Sequence, residues 1–377
     1  MHVAQISFFN DPQGRAPERL LEAWPSLVDV AEAASTANVR VSVLQASIHT
    51  HSFTQRDVDY HFLPFGRAPG AEAHRKDLEQ LLHALGADVF HVHGLSFVHD
   101  VARLAELRPA TPILLQDHAD RVPPFWRRGR WRAALARSTA VSFCARAQAE
   151  PFKRARLIPS HARILQIPES TSRFTPGDRA RARRLTALQG NPAVLWVGHL
   201  DENKDPLTVL DGLSAAMHSL PDLQLHCCFG TAPLLHEVEE RIARDRLLRP
   251  RVHLLGRVTH ERVEELMRAA DLFVLGSHRE GSGYSLIEAL ACGLPPLVTD
   301  IPSFRALTAG SVGRLWPPGE AAGLTEALYG IVPELGAPMR AAVRAHFDRE
   351  LSSAALGAKL ATAYGGLIQA PAETTGT

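Results

Sequence analysis

At 377 residues with 45% hydrophobic side chains, the chain exceeds one ordinary domain and carries enough apolar residues for two buried cores. The 41 Lys and Arg balance 40 Asp and Glu, so no global field draws in nucleic acid, and none is expected as a partner. Cys144, Cys227, Cys228 and Cys292 lack metal-ligand spacing, the start "MHVAQISFFNDP" lacks the form of a signal peptide, and no run approaches the ~20 apolar residues of a membrane span; a cytoplasmic protein with reduced thiols is expected.

Short apolar runs begin at "HVAQISFF" (2–9) and recur at 39–46, 88–94, 112–117, 140–144 and 162–168. Amphipathic helical patterns separate them, among them 18–35 and 71–86. This alternation predicts a parallel sheet with helices on both faces. After the polar, Pro- and Gly-punctuated stretch 169–192, the alternation restarts at "AVLWVGHL" (193–200) and runs through 223–230, 251–256, 271–277 and 295–300. The expected organisation is α/β, with two Rossmann-like domains, 1–172 and 173–344, facing a central cleft. A last helical pattern has no strand after it, and its part 345–367 is free to rejoin the first domain; 369–377 reads as a flexible tail.

Open parallel sheets bind ligands outside the carboxyl ends of their strands. Two strand ends of the second domain carry the chemistry. In "DLFVLGSHREGSGYSLIEALACG" (271–293), Gly281 and Gly283 let a backbone approach a ligand closely, and a helix opens behind them. Ser285 and Glu288 have the spacing of a capping box, but such a box leaves Glu280 without a role. Two carboxylates bracketing an anion-binding helix start suit a ligand with a phosphate centre and hydroxyls on either side, the shape of a nucleotide-sugar. In "VLWVGHLDENKDPLTVL" (194–210), Asp205 is a plausible N-cap with Pro206 at the first helical position, and Lys204 stands ready to neutralise a diphosphate.

With "VGHLDENKD" (197–205), "LGRV" (255–258), "ADLFVLGS" (270–277) and Glu280-x7-Glu288 in this order, the chain resembles the family 4 retaining glycosyltransferases of the GT-B fold, most closely over 190–330. The resemblance implies transfer of a sugar from a nucleoside diphosphate donor, UDP favoured, to an acceptor hydroxyl. It implies a front-face mechanism with no metal and no cofactor beyond the donor substrate. By position, Glu280 would hold donor-sugar hydroxyls and Glu288 the ribose. Gly281, Gly283, Tyr284 and Ser285 would meet the diphosphate with Lys204, and Gly256, Arg257 and Val258 would lie along the base. His118, Lys204 and Glu280 would be the catalytic set, and Gly14 and His93 the acceptor-side candidates. The acceptor is a glycan, a lipid-linked glycan or a small molecule.

The chain departs from the family pattern at His199, where arginine is usual, at Ser282, where an aromatic residue is usual, and in "NDPQGRAP" (10–17), which lacks a glycine pair. A protonated His199 would make donor affinity fall as pH rises through the imidazole pKa. Two alternatives stand beside this reading: a degenerate nucleotide-sugar-binding partner subunit, which the departures at His199 and Ser282 keep open, and a sugar-nucleotide epimerase on the same two-domain plan. His91 and His93 share a strand face with no third ligand in view, which favours core histidines over a metal pair. The run "FWRRGRWRAALAR" (125–137) reads as a solvated helix entry, with peripheral contact to the inner face of a membrane as its functional version.

Overall fold

The computed structural model describes residues 1–67, 71–72 and 74–369, and the chain divides into two compact units. The first comprises Met1–Thr171 and the residues from Ser353 onward; the second is Ser172–Ser352. Of the tail expected over 369–377, residues 370–377 lie outside the described residues.

The first unit is built on β1 (His2–Ser7), β2 (Arg40–Ala46), β3 (His51–Gln55), β4 (Val58–Leu63), β5 (Val89–His93), β6 (Ile113–Gln116), β7 (Ala140–Phe143) and β8 (Arg163–Gln166). Their order is β3-β4-β2-β1-β5-β6-β7-β8, parallel except for β3 against β4. Alternate residues of β1 enter two different cores. Ala4 and Ile6 pack under the helices 75–85, 98–107 and 128–135, while Val3 lies under the helices 25–36 and 353–368. Burial on both faces explains why these strands read as continuous apolar runs.

The second unit contains β9 (Ala193–Val197), β10 (Gln224–Cys228), β11 (Val252–Gly256), β12 (Leu272–Leu275), β13 (Pro296–Thr299) and β14 (Arg314–Trp316). They form an all-parallel sheet in the order β11-β10-β9-β12-β13-β14. In each unit the strand order reverses once beside the first strand, at β1/β5 and at β9/β12. Connections leave in opposite directions there, and a crevice opens at the carboxyl ends.

Two local expectations are corrected, and one hairpin is added to the elements read from the sequence. The helical pattern 18–35 is two helices, Pro17–Ala23 and Pro25–Thr36, broken at Trp24 because Pro25 drives the residue before it out of helical backbone. The pattern containing 345–367 is likewise two helices, Ala337–Glu350 in the second unit and Ser353–Ile368 in the first. Leu351 and Ser352 both donate to the Phe347 carbonyl there, and the Ser352 hydroxyl closes on Asp348 O, ending the first helix. The hairpin β3/β4 went unread because its turn is Arg56-Asp57, both at positive φ (49° and 59°), with no glycine or asparagine to mark it.

Candidate active site

The second unit's switch point is furnished by the loops after β9 and β12. Beyond β9 the chain passes Gly198 and His199 and turns on Asp201, whose Oδ1 accepts the Lys204 N–H at 2.9 Å. Asp205, at φ 51°, caps the helix Pro206–Ala216 by accepting the Thr208 N–H at 3.2 Å, as its sequence position suggests. Beyond β12, Gly276 lies so close to this loop that a Cβ would stand 2.9 Å from Lys204 O and 3.0 Å from Asp205 O. That close packing brings residues 76 positions apart together: the Lys204 ammonium pairs with Glu280 Oε1, which also accepts from Ser277 Oγ at 2.7 Å. Both partners are largely withdrawn from water, at 15% and 12% side-chain exposure. In this arrangement Lys204 sits against Glu280, so the lysine expected beside a diphosphate is oriented by the acid expected on the sugar.

The helix behind the loop is Tyr284–Ala291, and its N-cap is Gly283 at φ 62° with no side-chain cap bond. The capping-box reading of Ser285 and Glu288 is therefore overturned. Both residues lie inside the first turns, where a serine cannot act as N-cap. Glu288 turns instead to His260 Nε2, 2.6 Å from its Oε1. This bond with Glu288 raises the His260 pKa against the opposing effect of burial. His260 opens the helix His260–Ala269, two residues beyond Val258, and packs against Phe174 with ring centroids 4.5 Å apart and planes tilted by 41°. Sequence reasoning missed it; its place just past "GRV" was the available signal. Of that segment, Gly256 has φ 66° with open space where a Cβ would point, Arg257 is exposed and Val258 is half-buried. Gly281 and Gly283 are buried, and Tyr284 and Ser285 half-buried.

His199 is exposed, and its Nδ1 accepts the Thr231 N–H at 3.1 Å. The remaining nitrogen, Nε2, must then carry the ring's proton. With Nδ1 engaged by the Thr231 N–H, His199 offers its Nε2–H as a donor.

In the first unit, a cavity of about 340 Å³ opens at the β1/β5 switch point, with Phe9, Trp24, Leu27 and Phe97 as apolar lining and His93, His118 and Asp120 as polar lining. His118 follows β6 and donates from Nδ1 to Glu169 Oε2 at 3.0 Å; its Nε2 lies 3.1 Å from His93 Nδ1. Burial opposes a charge on His118, yet the Glu169 hydrogen bond and the negative potential of Glu169, Asp120 and Asp117 prevail and raise its pKa. Asp117 is pushed up to about 7 by burial, then by Asp120 and Glu169. Glu169, 1% exposed, is a second residue that sequence reasoning passed over, because nothing in "IPES" (167–170) marks it. The structure joins His93 to His118 but leaves Gly14 off the cavity wall. Gly14 serves a turn at φ 59°, where its carbonyl meets His49 Nε2 at 3.1 Å.

Each unit thus presents charged and hydrogen-bonding groups at its own switch point, the arrangement of an α/β ligand-binding protein. Comparison with known proteins gives the class. Residues 178–332 match the family model for glycosyl transferases group 1. A GDP-mannose:cellobiosyl-diphosphopolyprenol alpha-mannosyltransferase of Xanthomonas campestris is 27% identical over 60% of this chain and 59% of its own length. A mannosylfructose-phosphate synthase of Agrobacterium fabrum is 31% identical over 47% of this chain and 43% of its own. The chain therefore spans only about half the length of these curated relatives. Among solved structures, Anabaena Alr3699/HepE in complex with UDP and glucose matches with a TM-score of 0.68 at 18% identity, covering 97% of this chain and 100% of that one. That likeness assigns the GT-B fold.

Proposed function

We propose that the chain is a glycosyltransferase that moves a sugar from a nucleoside diphosphate sugar to an acceptor hydroxyl, with retention at the anomeric carbon and without a metal. The observation that carries this reading is the cluster Lys204–Glu280–Ser277 beside the Gly283-capped helix start and Glu288, inside the family-matched region. The bond from the anomeric carbon to the diphosphate oxygen breaks, and the acceptor oxygen bonds to the same face. The acceptor's proton passes to a diphosphate oxygen. Lys204, the N–H groups at the start of the helix Tyr284–Ala291 and the His199 Nε2–H stabilise the charge on the leaving group, the largest electrostatic demand of such a step. Glu280 positions the sugar and Glu288 the ribose, in exchange for its bond to His260. The acceptor belongs in the cavity beside His118, whose apolar and polar lining suits a glycan or small molecule.

UDP, expected from the sequence, competes with GDP, the donor nucleotide named for the Xanthomonas relative. Titration calorimetry of UDP, GDP and ADP into wild type, Lys204→Ala and Glu288→Gln decides between them. One nucleotide should bind, and each substitution should weaken it about 10- to 100-fold, the loss of one charge-assisted hydrogen bond. Wild type that binds none of the three would overturn the proposal. Peripheral contact with a membrane, where a lipid-linked acceptor would be met, is supported by Phe125 and Trp126, which stand 76% and 68% exposed among arginines.

A further inference from the structure

The first unit contains a hydrogen-bonded chain that runs from the cavity wall into the core. Glu169 Oε2 meets His118 Nδ1 at 3.0 Å, and His118 Nε2 meets His93 Nδ1 at 3.1 Å. His93 Nε2 lies 3.4 Å from Gln5 Oε1, Gln5 Nε2 lies 3.4 Å from Tyr364 Oη, and that hydroxyl lies 2.7 Å from His91 Nδ1. Gln5 and Tyr364 are fully buried.

Counting donors and acceptors leaves two self-consistent directions. With the Gln5 oxygen toward His93, as observed, His93 keeps its proton on Nε2 and turns the Nδ1 lone pair to His118. His118 then donates from both ring nitrogens and is a cation, while Tyr364 accepts from the amide and donates to His91. With the Gln5 amide turned over, His93 donates from Nδ1, His118 Nε2 accepts, and His118 is neutral. Between these states His118 gives up its Nε2 proton to solvent, His93 and His91 move theirs to the other ring nitrogen, and the Gln5 amide turns over.

We propose that Gln5 is a positioning residue for His118, its amide orientation making His118 donate from both nitrogens and so placing a positive charge on the cavity wall. The use of that charge rests on the transferase reading, in which an acceptor occupies the cavity. The groups facing His118 fit a single cation there. Glu169 approaches from the segment after β8, and Asp117 and Asp120 from its own loop. From β5, burial first, then the neighbouring imidazoles, holds His93 well below the ordinary histidine value; burial and His118 hold His91 at about 3.

The test is a ¹⁵N- and ¹³C-histidine NMR titration of the full chain without donor or acceptor, with His118 identified by the signal lost in His118→Gln. In wild type, His93 should exchange its Nε2–H tautomer for Nδ1–H at the midpoint where His118 loses its charge; a His93 tautomer constant across that midpoint overturns the proposal. In Gln5→Glu, a side chain that only accepts should move the His118 midpoint up by about one pH unit, and Gln5→Met, which strands the His93 Nε2–H, should move it down by about as much. An upward shift in Gln5→Glu with none in Gln5→Met is through-space charge alone and also overturns it. None of these readings requires nucleotide binding, so failure here leaves the transferase proposal standing, and failure of the calorimetry leaves the hydrogen-bond chain standing.

Discussion

His199 and His118 each sit at a switch point, and their Nδ1 atoms play opposite parts in hydrogen bonding. Nδ1 of His199 accepts a backbone N–H, whereas Nδ1 of His118 donates to a buried carboxylate that favours the cation. Residue type alone therefore says little about an imidazole's charge; its neighbours decide it. The consequence for His118 is measurable. Its pKa is raised above 6.5 in the folded state, so the stability it contributes is fully present below the unfolded value and is lost as pH rises through the folded value. In Glu169→Gln that contribution disappears. Urea denaturation should find wild type more stable than Glu169→Gln by the widest margin near pH 5.5, with the margin closing at alkaline pH, where Glu169 faces a neutral ring. A margin that stays constant from pH 5.5 to 9 would show that Glu169 acts only through packing.

The helix Tyr284–Ala291 shows how an element's start determines what its side chains can do. Moving the N-cap from Ser285 to Gly283 converts Glu288 from a cap into a residue one turn inside the helix, where it reaches His260 across 28 positions of sequence. The C-terminal helix Ser353–Ile368 makes a second point about elements. It returns to the first unit and packs on the helix Pro25–Thr36 through Gly357, where a Cβ would approach the Ala33 carbonyl oxygen closer than van der Waals contact permits. The two helix backbones are that near because no side chain separates them. Gly357→Ala should therefore destabilise the first unit by about 1–3 kcal/mol, the usual cost of overpacking, despite alanine's better helix propensity. Guanidinium titration followed by hydrogen exchange should place the loss in the first unit; an unchanged or raised midpoint would mean that the helices separate without cost.

At the scale of the whole molecule, near-equal numbers of acids and bases conceal an uneven distribution. Between Asp120 and Glu150 the chain carries arginines and no carboxylate. Phe125 and Trp126 pack edge-on at 5.1 Å in this stretch and turn outward with Arg127, Arg130 and Arg132 also exposed. Among the described residues no helix is long and apolar enough to cross a membrane. Aromatic side chains set among arginines suit the headgroup region of an anionic bilayer. Co-sedimentation should show binding to vesicles containing phosphatidylglycerol, weaker binding to neutral phosphatidylcholine vesicles, and a several-fold loss in the double variant Phe125→Ser/Trp126→Ser. Equal recovery on both vesicle types would return 125–137 to the role of a solvated helix entry.

The strand-helix alternation, the two families of parallel strands and the capped loop at Lys204-Asp205 were legible in the sequence, because local periodicity and short-range turn chemistry are written in neighbouring residues. The partners were not. Lys204 meets Glu280, Glu288 meets His260, and His118 meets Glu169 across 76, 28 and 51 positions, and Gln5 meets Tyr364 across 359. Such pairs exist only once the sheets and the helices packed on them have brought distant parts of the chain together. The amino-acid order therefore supplied the chemical groups and the elements that carry them. Tertiary packing alone decided which groups share a hydrogen bond, and with it which imidazole is charged and which carboxylate is engaged, because burial and partner set those states together.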